Sequence, residues 1–539
     1  MSNKMLRGTM LLTGANYTSK ILGLLYVIPF YALVGNTGGV LYSYAYNPYQ
    51  IFLTLSSLGI PMAMSKFVAK YDALEDYETK QSMFKTGMMF MMVMGLVMFL
   101  IMFFSADWLA QIFISDTDLD NSVEDAAFVI KMVSFALIVV APMSLIRGYF
   151  QGHQSMAPTA FSIVVEQIVR IGFLLLGAFI VMKVLDGTIR LAVGLAAFAA
   201  LIGAIAAAFI LYYFYRRHKP QMERELEESG GVLSFPKSEH YRELLSYAGP
   251  FVLVGIATPL YQMVDQFTFN RIMSSIGQAK ISEDLLSVIL VYGHKLVIIP
   301  VTLSIGLAMA VLPAITKAFT ENDNNLYKHY INQAILIVVL LVLPAAVGLS
   351  ILSVQAYGVL YEVQDAVKFG GAILSYYAPV SLFFALFTVS AAILQGINRQ
   401  NFAVISLAVG LVLKIVLNFP LVSLFQGKGA VMATGIAVLT AAALNLYKIH
   451  RVTGFNVKPL YKQSLLIAIL TVAMAVVVIA ARFIAGLPFS DDPSRLKFVI
   501  QTLIAVPTGG YVYLWLAYKT TLLQRLLGDR VNRLAKLFP

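Results

Sequence analysis

The sequence predicts an all-α polytopic membrane protein. Of its 539 residues, 59% are hydrophobic and 12% are charged, whereas a soluble globular domain carries about 25% charged residues. The mean hydropathy, +0.79, is correspondingly high. Continuous apolar stretches recur from one end of the chain to the other, and a helix of about 20 such residues crosses the roughly 30 Å hydrocarbon layer of a bilayer. These observations predict a bundle of transmembrane helices.

The first predicted element is an uncleaved span. Lys4 and Arg7 precede an apolar run that, at about 27 residues, is too long for the hydrophobic core of a signal peptide. No small-residue cleavage site follows it. The chain has no cysteine, so disulfides and cysteine metal sites are excluded.

Fourteen spans are predicted in all. Their approximate limits are 8–34, 40–68, 83–104, 124–150, 157–183, 189–215, 243–271, 284–316, 328–353, 369–395, 401–424, 428–448, 461–485 and 495–518.

The distribution of Lys and Arg orients these spans. With the N-terminus inside, the cytoplasmic segments hold 25 of the 39 cations, the outward segments hold 9, and 5 lie within spans. Cytoplasmic loops of membrane proteins carry such an excess, so we expect both termini to be cytoplasmic. The net charge of +11 then reflects orientation and attraction to anionic lipids, and it does not indicate nucleic-acid binding.

The polar connection between spans 6 and 7 divides the chain into two halves. It contains Gly-Gly and two prolines and reads as a linker. The C-terminal tail alternates leucines with Arg and Lys, as an interfacial amphipathic helix does. The predicted domains are an N-terminal six-helix bundle (1–217), a cytoplasmic linker (218–242), a C-terminal six-helix bundle (243–452), two extra helices, 13 and 14 (453–518), and a basic tail (519–539).

An internal repeat relates the two halves. Residues 151–171 align without gaps on 395–415, and 57–70 align on 304–317, at offsets of 244 and 247. Two nearly equal offsets indicate a repeat of about six spans. Because an even number of spans keeps both copies parallel, we expect a MATE-like pair of bundles related by an axis along the membrane normal, with a cavity between them. Such a geometry is typical of alternating-access transporters.

Polar residues inside four spans predict what lines this cavity. A charge in hydrocarbon costs about 2.5–3.5 kcal/mol on insertion scales, so it usually faces a cavity or a partner. Lys20 lies near the middle of span 1 and Lys295 deep within span 8. Two such lysines facing one cavity make an anion site; the structural alternative is a lysine that snorkels or pairs locally. The accompanying candidates for the cavity lining are Asn16, Tyr17, Tyr26, Tyr46, Tyr261, Gln262, Tyr292 and His294.

Four further charged residues in spans are candidates for ion coupling or charge pairing. Glu166 and Arg170 are four residues apart on span 5 and can pair with each other. Lys414 has no charged partner near it in the sequence. Asp265 is either the partner of a lysine or a ligand of a coupling ion. His294 either titrates near neutral pH or is a hydrogen-bonded structural residue.

These residues resemble a known family. Fourteen spans, two six-span bundles with an extra pair, and cations on spans 1 and 8 resemble the MOP flippase superfamily. The stretches SKILG and GIPMAMSKFVAKY resemble its polysaccharide-biosynthesis and stage-V-sporulation type, and most closely the Gram-positive MurJ-like (YtgP-type) lipid II flippases. The resemblance covers essentially the whole chain.

The resemblance implies a function and a site. Members of this group move an undecaprenyl-diphosphate-linked disaccharide-pentapeptide from the inner to the outer leaflet. In the proteobacterial branch, arginines on spans 1, 2 and 8 serve the diphosphate. The resemblance places Lys20 and Lys295 at two of these arginines, Tyr26 at a third, and Leu53 near the fourth. It also implies that spans 13 and 14 form an apolar groove for the polyprenyl tail.

Other functions remain open at this point. The alternatives are a flippase for another undecaprenyl-diphosphate-linked glycan (sporulation, capsule or O-unit), a MATE-type drug or cation antiporter, and a membrane-embedded glycan polymerase. No ATP motif, nucleophile motif or metal site is found, so we expect a transporter rather than an enzyme. We expect no cofactor beyond a coupling ion, Na⁺ or H⁺, with membrane potential or an ion gradient as the driving force. Expected partners are the lipid-linked glycan, membrane lipids and cell-wall synthesis proteins, in the bacterial cytoplasmic membrane.

Overall fold

A computed structural model describes most of the chain. The described residues are 3–57, 64–65, 67–68, 71–72, 74–114, 119–153, 155–228, 255–321, 323–489 and 493–527. Within these ranges every regular element is a helix. The chain forms two compact units, Met1–Arg271 and Ile272–Pro539.

Nine α-helices make up most of the described part of the first unit. In this unit α7 packs along α8 and against α1, and α3 packs against α6. Phe84 and Tyr149, whose rings lie 4.6 Å apart, belong to an apolar core between α3 and α6. The helices are α1 (Asn3–Leu25), α2 (Val27–Ser57), α3 (Tyr77–Phe104), α4 (Ala106–Phe113), α5 (Val123–Ser134), α6 (Ala136–Gly152), α7 (Ala157–Phe179), α8 (Ile189–Glu228) and α9 (Ala257–Ser275), whose last residues enter the second unit.

The described part of the second unit contains ten further α-helices of six or more residues. Here α11 packs against α12 and α15, α15 packs against α16, and α17 packs against α12 and α18. The helices are α10 (Ser282–Ser287), α11 (Gly293–Thr320), α12 (Asn324–Ile351), α13 (Ser353–Leu360), α14 (Gly371–Tyr377), α15 (Val380–Gly396), α16 (Gln400–Thr453), α17 (Val457–Gly486), α18 (Arg495–Lys519) and α19 (Leu522–Leu527).

The helices confirm an all-α polytopic membrane fold. In the described residues, ten helical segments are long and apolar enough to cross a membrane, or eleven if the bent pair α1 and α2 is one span. Fourteen were predicted, and continuous helix accounts for part of the difference. The 54-residue α16 contains two predicted spans and leaves helical geometry at Gln426, and α2 does so at Gly35. Both bends fall in gaps between predicted spans.

The linker lies largely outside the described residues. Residues 229–254 carry most of it and the start of predicted span 7, and the tail beyond residue 527 is likewise outside. The domain boundaries given by the sequence therefore stay a prediction.

Gly35 produces the first bend. Its φ of 63° and ψ of −160° lie in a region that only glycine adopts without strain. A Cβ on Gly35 would meet no atom within 4 Å, so the constraint is conformational rather than steric.

Gly35→Ala is therefore expected to destabilise the first unit by about 1–3 kcal/mol. The measurement is the midpoint of thermal unfolding of the purified protein in detergent. Gly172→Ala is the matched control, since Gly172 is helical and also open around its Cβ. Equal midpoints for Gly35→Ala and Gly172→Ala would contradict the assigned role of Gly35.

Candidate functional site

The first unit holds a guanidinium among tyrosines. Arg170 of α7 donates from Nη2 to the Tyr42 hydroxyl at 2.9 Å. Its Cζ lies 5.0 Å from the centre of the Tyr46 ring, within the range of a cation–π interaction. Tyr26 is hydrogen-bonded to Tyr42, and Tyr49 packs on Tyr46 at 5.9 Å. We call these five residues the Arg170–tyrosine cluster.

The spacing of the tyrosines explains the cluster. Tyr42, Tyr46 and Tyr49 follow one another at helical spacing on α2, so their rings share one face. The rings of Tyr42 and Tyr46 stack at 5.3 Å. In the described part of the chain, tyrosines rather than carboxylates surround the guanidinium. A charged side chain inside a membrane span is by default a candidate for a functional site.

The predicted pairing of Glu166 with Arg170 differs from the structure. Glu166 Oε2 instead accepts from Arg147 Nη2 at 2.7 Å, and Arg147 Nε donates to the Ser162 hydroxyl at 2.9 Å. Arg147 approaches from α6, which sequence spacing could not reveal. Because Glu166 pairs with Arg147, Arg170 contacts the tyrosines instead of this carboxylate.

The polar stripe of α1 is accessible. Asn16, Tyr17 and Lys20 are all exposed in the structure. Lys20 is therefore not enclosed within the first unit. Such a lysine can meet an anion without first breaking a buried contact.

The polar residues of α9 are buried instead. Tyr261, Gln262 and Asp265 are at most 8% exposed. Two residues that the sequence analysis missed lie on the same helix. Asn270 Nδ2 donates to the Tyr44 hydroxyl at 2.7 Å and to the Phe113 carbonyl at 3.0 Å.

Gln266 makes a similar bond to α2. Its Nε2 donates to the Ser43 carbonyl at 2.8 Å. The period of polar residues along α9 could have drawn attention to both amides, although their partners on α2 and α4 are distant in sequence.

The second unit places Lys295 beside a hydrogen-bonded histidine. Lys295 and His294 are both partly buried near the start of α11. His294 Nδ1 lies 2.8 Å from the Tyr377 hydroxyl. Tyr292 is fully buried, and its carbonyl accepts from the Tyr361 hydroxyl at 3.1 Å. His294 and Tyr292 thus pack inside the second unit. Lys295 is the positively charged residue beside them.

Lys414 is a buried cation in the same unit. It is 0% exposed, and its Nζ donates to the Thr434 hydroxyl at 2.7 Å. Both residues belong to α16, on opposite sides of the bend at Gln426. Asn418 is buried one turn further along. The bend therefore holds an ammonium between the two arms of α16.

An apolar groove lies between α12, α17 and α18. It encloses about 400 Å³, and the Tyr513 hydroxyl donates to the Leu340 carbonyl at 2.7 Å beside it. Glycine and small side chains on the facing helices leave the space open. The groove is lined by Leu340, Leu341, Pro344, Ala345, Gly348, Leu349, Leu352, Ala356, Met474, Val478, Thr502, Val506, Gly510, Tyr513 and Leu514.

Comparison with known families gives two matches. Residues 5–319 match the family described as polysaccharide biosynthesis protein, and residues 250–420 match the MatE family. The first match covers more than half of the chain.

Two curated proteins of Bacillus subtilis (strain 168) are similar along most of their length. The lipid II flippase MurJ is 42% identical over 533 residues, which span 98% of each chain. Stage V sporulation protein B is 23% identical over 88% of this chain and 87% of its own.

Solved structures share the fold. A lipid II flippase MurJ in an inward closed conformation matches with a TM-score of 0.66 at 17% identity, over 96% of this chain and 99% of that one. A multidrug resistance MATE family transporter in an inward-facing conformation matches with a TM-score of 0.62 at 14% identity, over 82% and 99%.

Proposed function

Because the chain belongs to the polysaccharide biosynthesis protein family, and within it to the MurJ group, we propose that it moves lipid II from the inner to the outer leaflet of the bacterial cytoplasmic membrane. The observation that carries this proposal is the 42% identity to the Bacillus subtilis flippase along 98% of both chains. The protein is a multi-pass transporter and not an enzyme. Both termini face the cytoplasm in this proposal, as the distribution of Lys and Arg indicates.

In this proposal Lys20 and Lys295 bind the diphosphate of the substrate. The diphosphate is the part of the molecule that hydrocarbon excludes most strongly, and an ammonium attracts it as a point charge. The exposure of Lys20 and the positions of both lysines within spans support this role.

The Arg170–tyrosine cluster provides a guanidinium for the diphosphate, a group that lysine side chains lack. Arginine holds two phosphate oxygens at once, whereas lysine does not. The resemblance places an arginine of the proteobacterial branch at Tyr26, and Tyr26 is hydrogen-bonded to Tyr42, which accepts from Arg170. In our proposal Arg170 therefore takes over, from α7, the contact that a residue at position 26 makes in that branch.

Arg170→Gln is expected to lower the rate of lipid II transport in proteoliposomes about ten-fold or more, since a hydrogen bond to a charged group contributes about 1.5–3 kcal/mol. Tyr42→Phe removes the hydroxyl that contacts Arg170 and Tyr26 but leaves the guanidinium in place, and it should retain most of the transport. Arg190→Gln is the matched control, because Arg190 is an exposed arginine of the same unit.

A purely structural role for Arg170 makes a different prediction. In that case Arg170→Gln and Tyr42→Phe would both lower the thermal midpoint of the protein without substrate. The two variants would also lower the transport rate to the same extent. Full transport by Arg170→Gln would also contradict the proposal.

The polyprenyl tail occupies the apolar groove of α12, α17 and α18. The resemblance implies a groove at the last two spans, and the 400 Å³ space between them supports it. The tail then stays in an apolar environment while the head group crosses.

Transport is driven by membrane potential or an ion gradient through alternating access. Lys414, buried on the first arm of α16, and Asp265, buried on α9, are the candidate groups for ion coupling. A drug or cation antiporter of the same superfamily needs acidic cavity residues, and Glu166 is already paired with Arg147. Cell-wall synthesis proteins are the expected partners, because they supply and consume the substrate.

A binding experiment separates these substrates. The purified protein is titrated with lipid II, with another undecaprenyl-diphosphate-linked glycan and with an organic cation, and the thermal midpoint is followed. A ligand that binds the folded state raises the midpoint. We expect lipid II to raise it most. A larger effect of the other glycan would change the substrate, and an effect of the cation alone would favour the antiporter.

A further inference from the structure

A second cavity lies where α17 ends and α18 begins. It encloses about 870 Å³ and is bordered by α13 as well. Its lining includes Arg482, Lys497, Gln355 and Gln501, so it differs in chemistry from the apolar groove. None of these residues belongs to the proposed transport site.

Two cations, Arg482 and Lys497, line this cavity. Arg482 is held in place, because its Nη1 donates to the Ile351 carbonyl at 2.9 Å. Lys497 lies in the first turn of α18, whose N-cap is Ser494. The N-terminus of a helix carries a partial positive charge, which adds to that of Lys497. These positive charges favour an anion in the cavity.

Two side-chain amides, Gln355 and Gln501, also line the cavity. Gln501 Nε2 donates to the Arg482 carbonyl at 3.1 Å, which fixes Gln501 Oε1 as the acceptor of the bond from Gln355 Nε2 at 3.2 Å. Gln355 is only 8% exposed, and its Oε1 has no hydrogen-bond partner among the described residues. A buried amide oxygen normally accepts a hydrogen bond, so a ligand of this cavity should carry a hydrogen-bond donor.

The rim of the cavity is apolar and exposed. Val476, Ile479 and Phe483 line it and are 62%, 47% and 69% exposed. In a protein that spans a membrane, such side chains face lipid. A ligand of this cavity therefore has an apolar part next to its anionic part.

We propose that this cavity binds an anionic phospholipid whose head group carries hydroxyls, such as phosphatidylglycerol. The phosphate contacts Arg482 and Lys497, a head-group hydroxyl donates to Gln355 Oε1, and an acyl chain lies on the exposed rim. In the predicted topology the cavity opens to the outer leaflet. The lining of this cavity shares no residue with the apolar groove or with the proposed diphosphate site.

Native mass spectrometry of the full chain in detergent tests the proposal. The probes are phosphatidylglycerol, phosphatidylcholine with the same acyl chains, and soluble glycerol 3-phosphate. We expect phosphatidylglycerol to be retained in preference to phosphatidylcholine. Lys497→Gln should weaken phosphatidylglycerol binding about ten-fold, as the loss of one hydrogen bond to a charged group does. Lys368→Gln, which removes an exposed cation of the same unit, should leave binding unchanged.

Three results would overturn it. They are equal retention of the two phospholipids, wild-type binding by Lys497→Gln, and displacement of phosphatidylglycerol by an equal concentration of glycerol 3-phosphate, which would indicate a site for soluble anions. Arg482→Gln is the second variant, although Arg482 also holds the end of α12. Since lipid II is absent from this experiment, failure here and failure of the proposed transport function are distinguishable.

Discussion

Lys20→Gln and Lys295→Gln are each expected to lower the rate of lipid II transport ten-fold or more. Glutamine keeps the length and polarity of the side chain but removes the charge that attracts the diphosphate. The loss of a hydrogen bond to a charged group is about 1.5–3 kcal/mol, which corresponds to about 10- to 100-fold in rate if it is felt in the transition state. The measurement is the exposure of lipid II to an impermeant label in proteoliposomes.

Two controls sharpen this prediction. Lys183→Gln removes an exposed lysine without touching the proposed site, and it should transport normally. Lys20→Arg retains the charge and should retain transport. If Lys20→Gln and Lys295→Gln both keep the wild-type rate, the lysines do not form the anion site.

Gly429→Ala is expected to disrupt the second unit. A Cβ at this position would lie 1.9 Å from the Leu421 carbonyl oxygen, and a backbone oxygen cannot move aside as a side chain can. Forcing extra atoms into a packed site costs about 1–3 kcal/mol and occasionally more, and we expect the upper end here. Because Lys414 and Thr434 meet across the same bend of α16, their hydrogen bond should weaken as well. The measurement is the thermal midpoint together with the yield of monodisperse protein.

Gly510→Ala is the matched control for this second prediction. Gly510 also lies in a membrane helix of the second unit, and a Cβ there would meet nothing within 4 Å. We expect Gly510→Ala to unfold at the wild-type midpoint. An unchanged midpoint for Gly429→Ala would show that the arms of α16 are not packed as closely as the structure has them.

Hydrophobicity alone predicts most of the fold. Apolar runs of membrane length are continuous in the sequence, and the gaps between them coincide with the bends at Gly35 and Gln426. The bend at Gly35 is visible as a glycine-rich stretch. The bend at Gln426 is not, because a φ of 51° is a backbone conformation that glutamine rarely adopts.

The site is harder to predict, because partners on different helices decide it. Helical spacing correctly places Tyr42 and Tyr46 on one face, yet it suggests that Glu166 binds Arg170. Arg147, 19 residues before Glu166, takes that carboxylate instead. The hydrogen bond of Asn270 could not be predicted for the same reason, since its partner Tyr44 is 226 residues away. Periodicity shows which residues share a helix face and cannot show which face meets another.

Transport of lipid II by the wild-type protein is the most direct test of the central claim. Purified protein is reconstituted into liposomes with lipid II in the inner leaflet, and an impermeant label is added with and without an imposed membrane potential. The account predicts that labelling exceeds that of protein-free liposomes and depends on the potential or on an ion gradient. Labelling equal to that of protein-free liposomes under every gradient would contradict it.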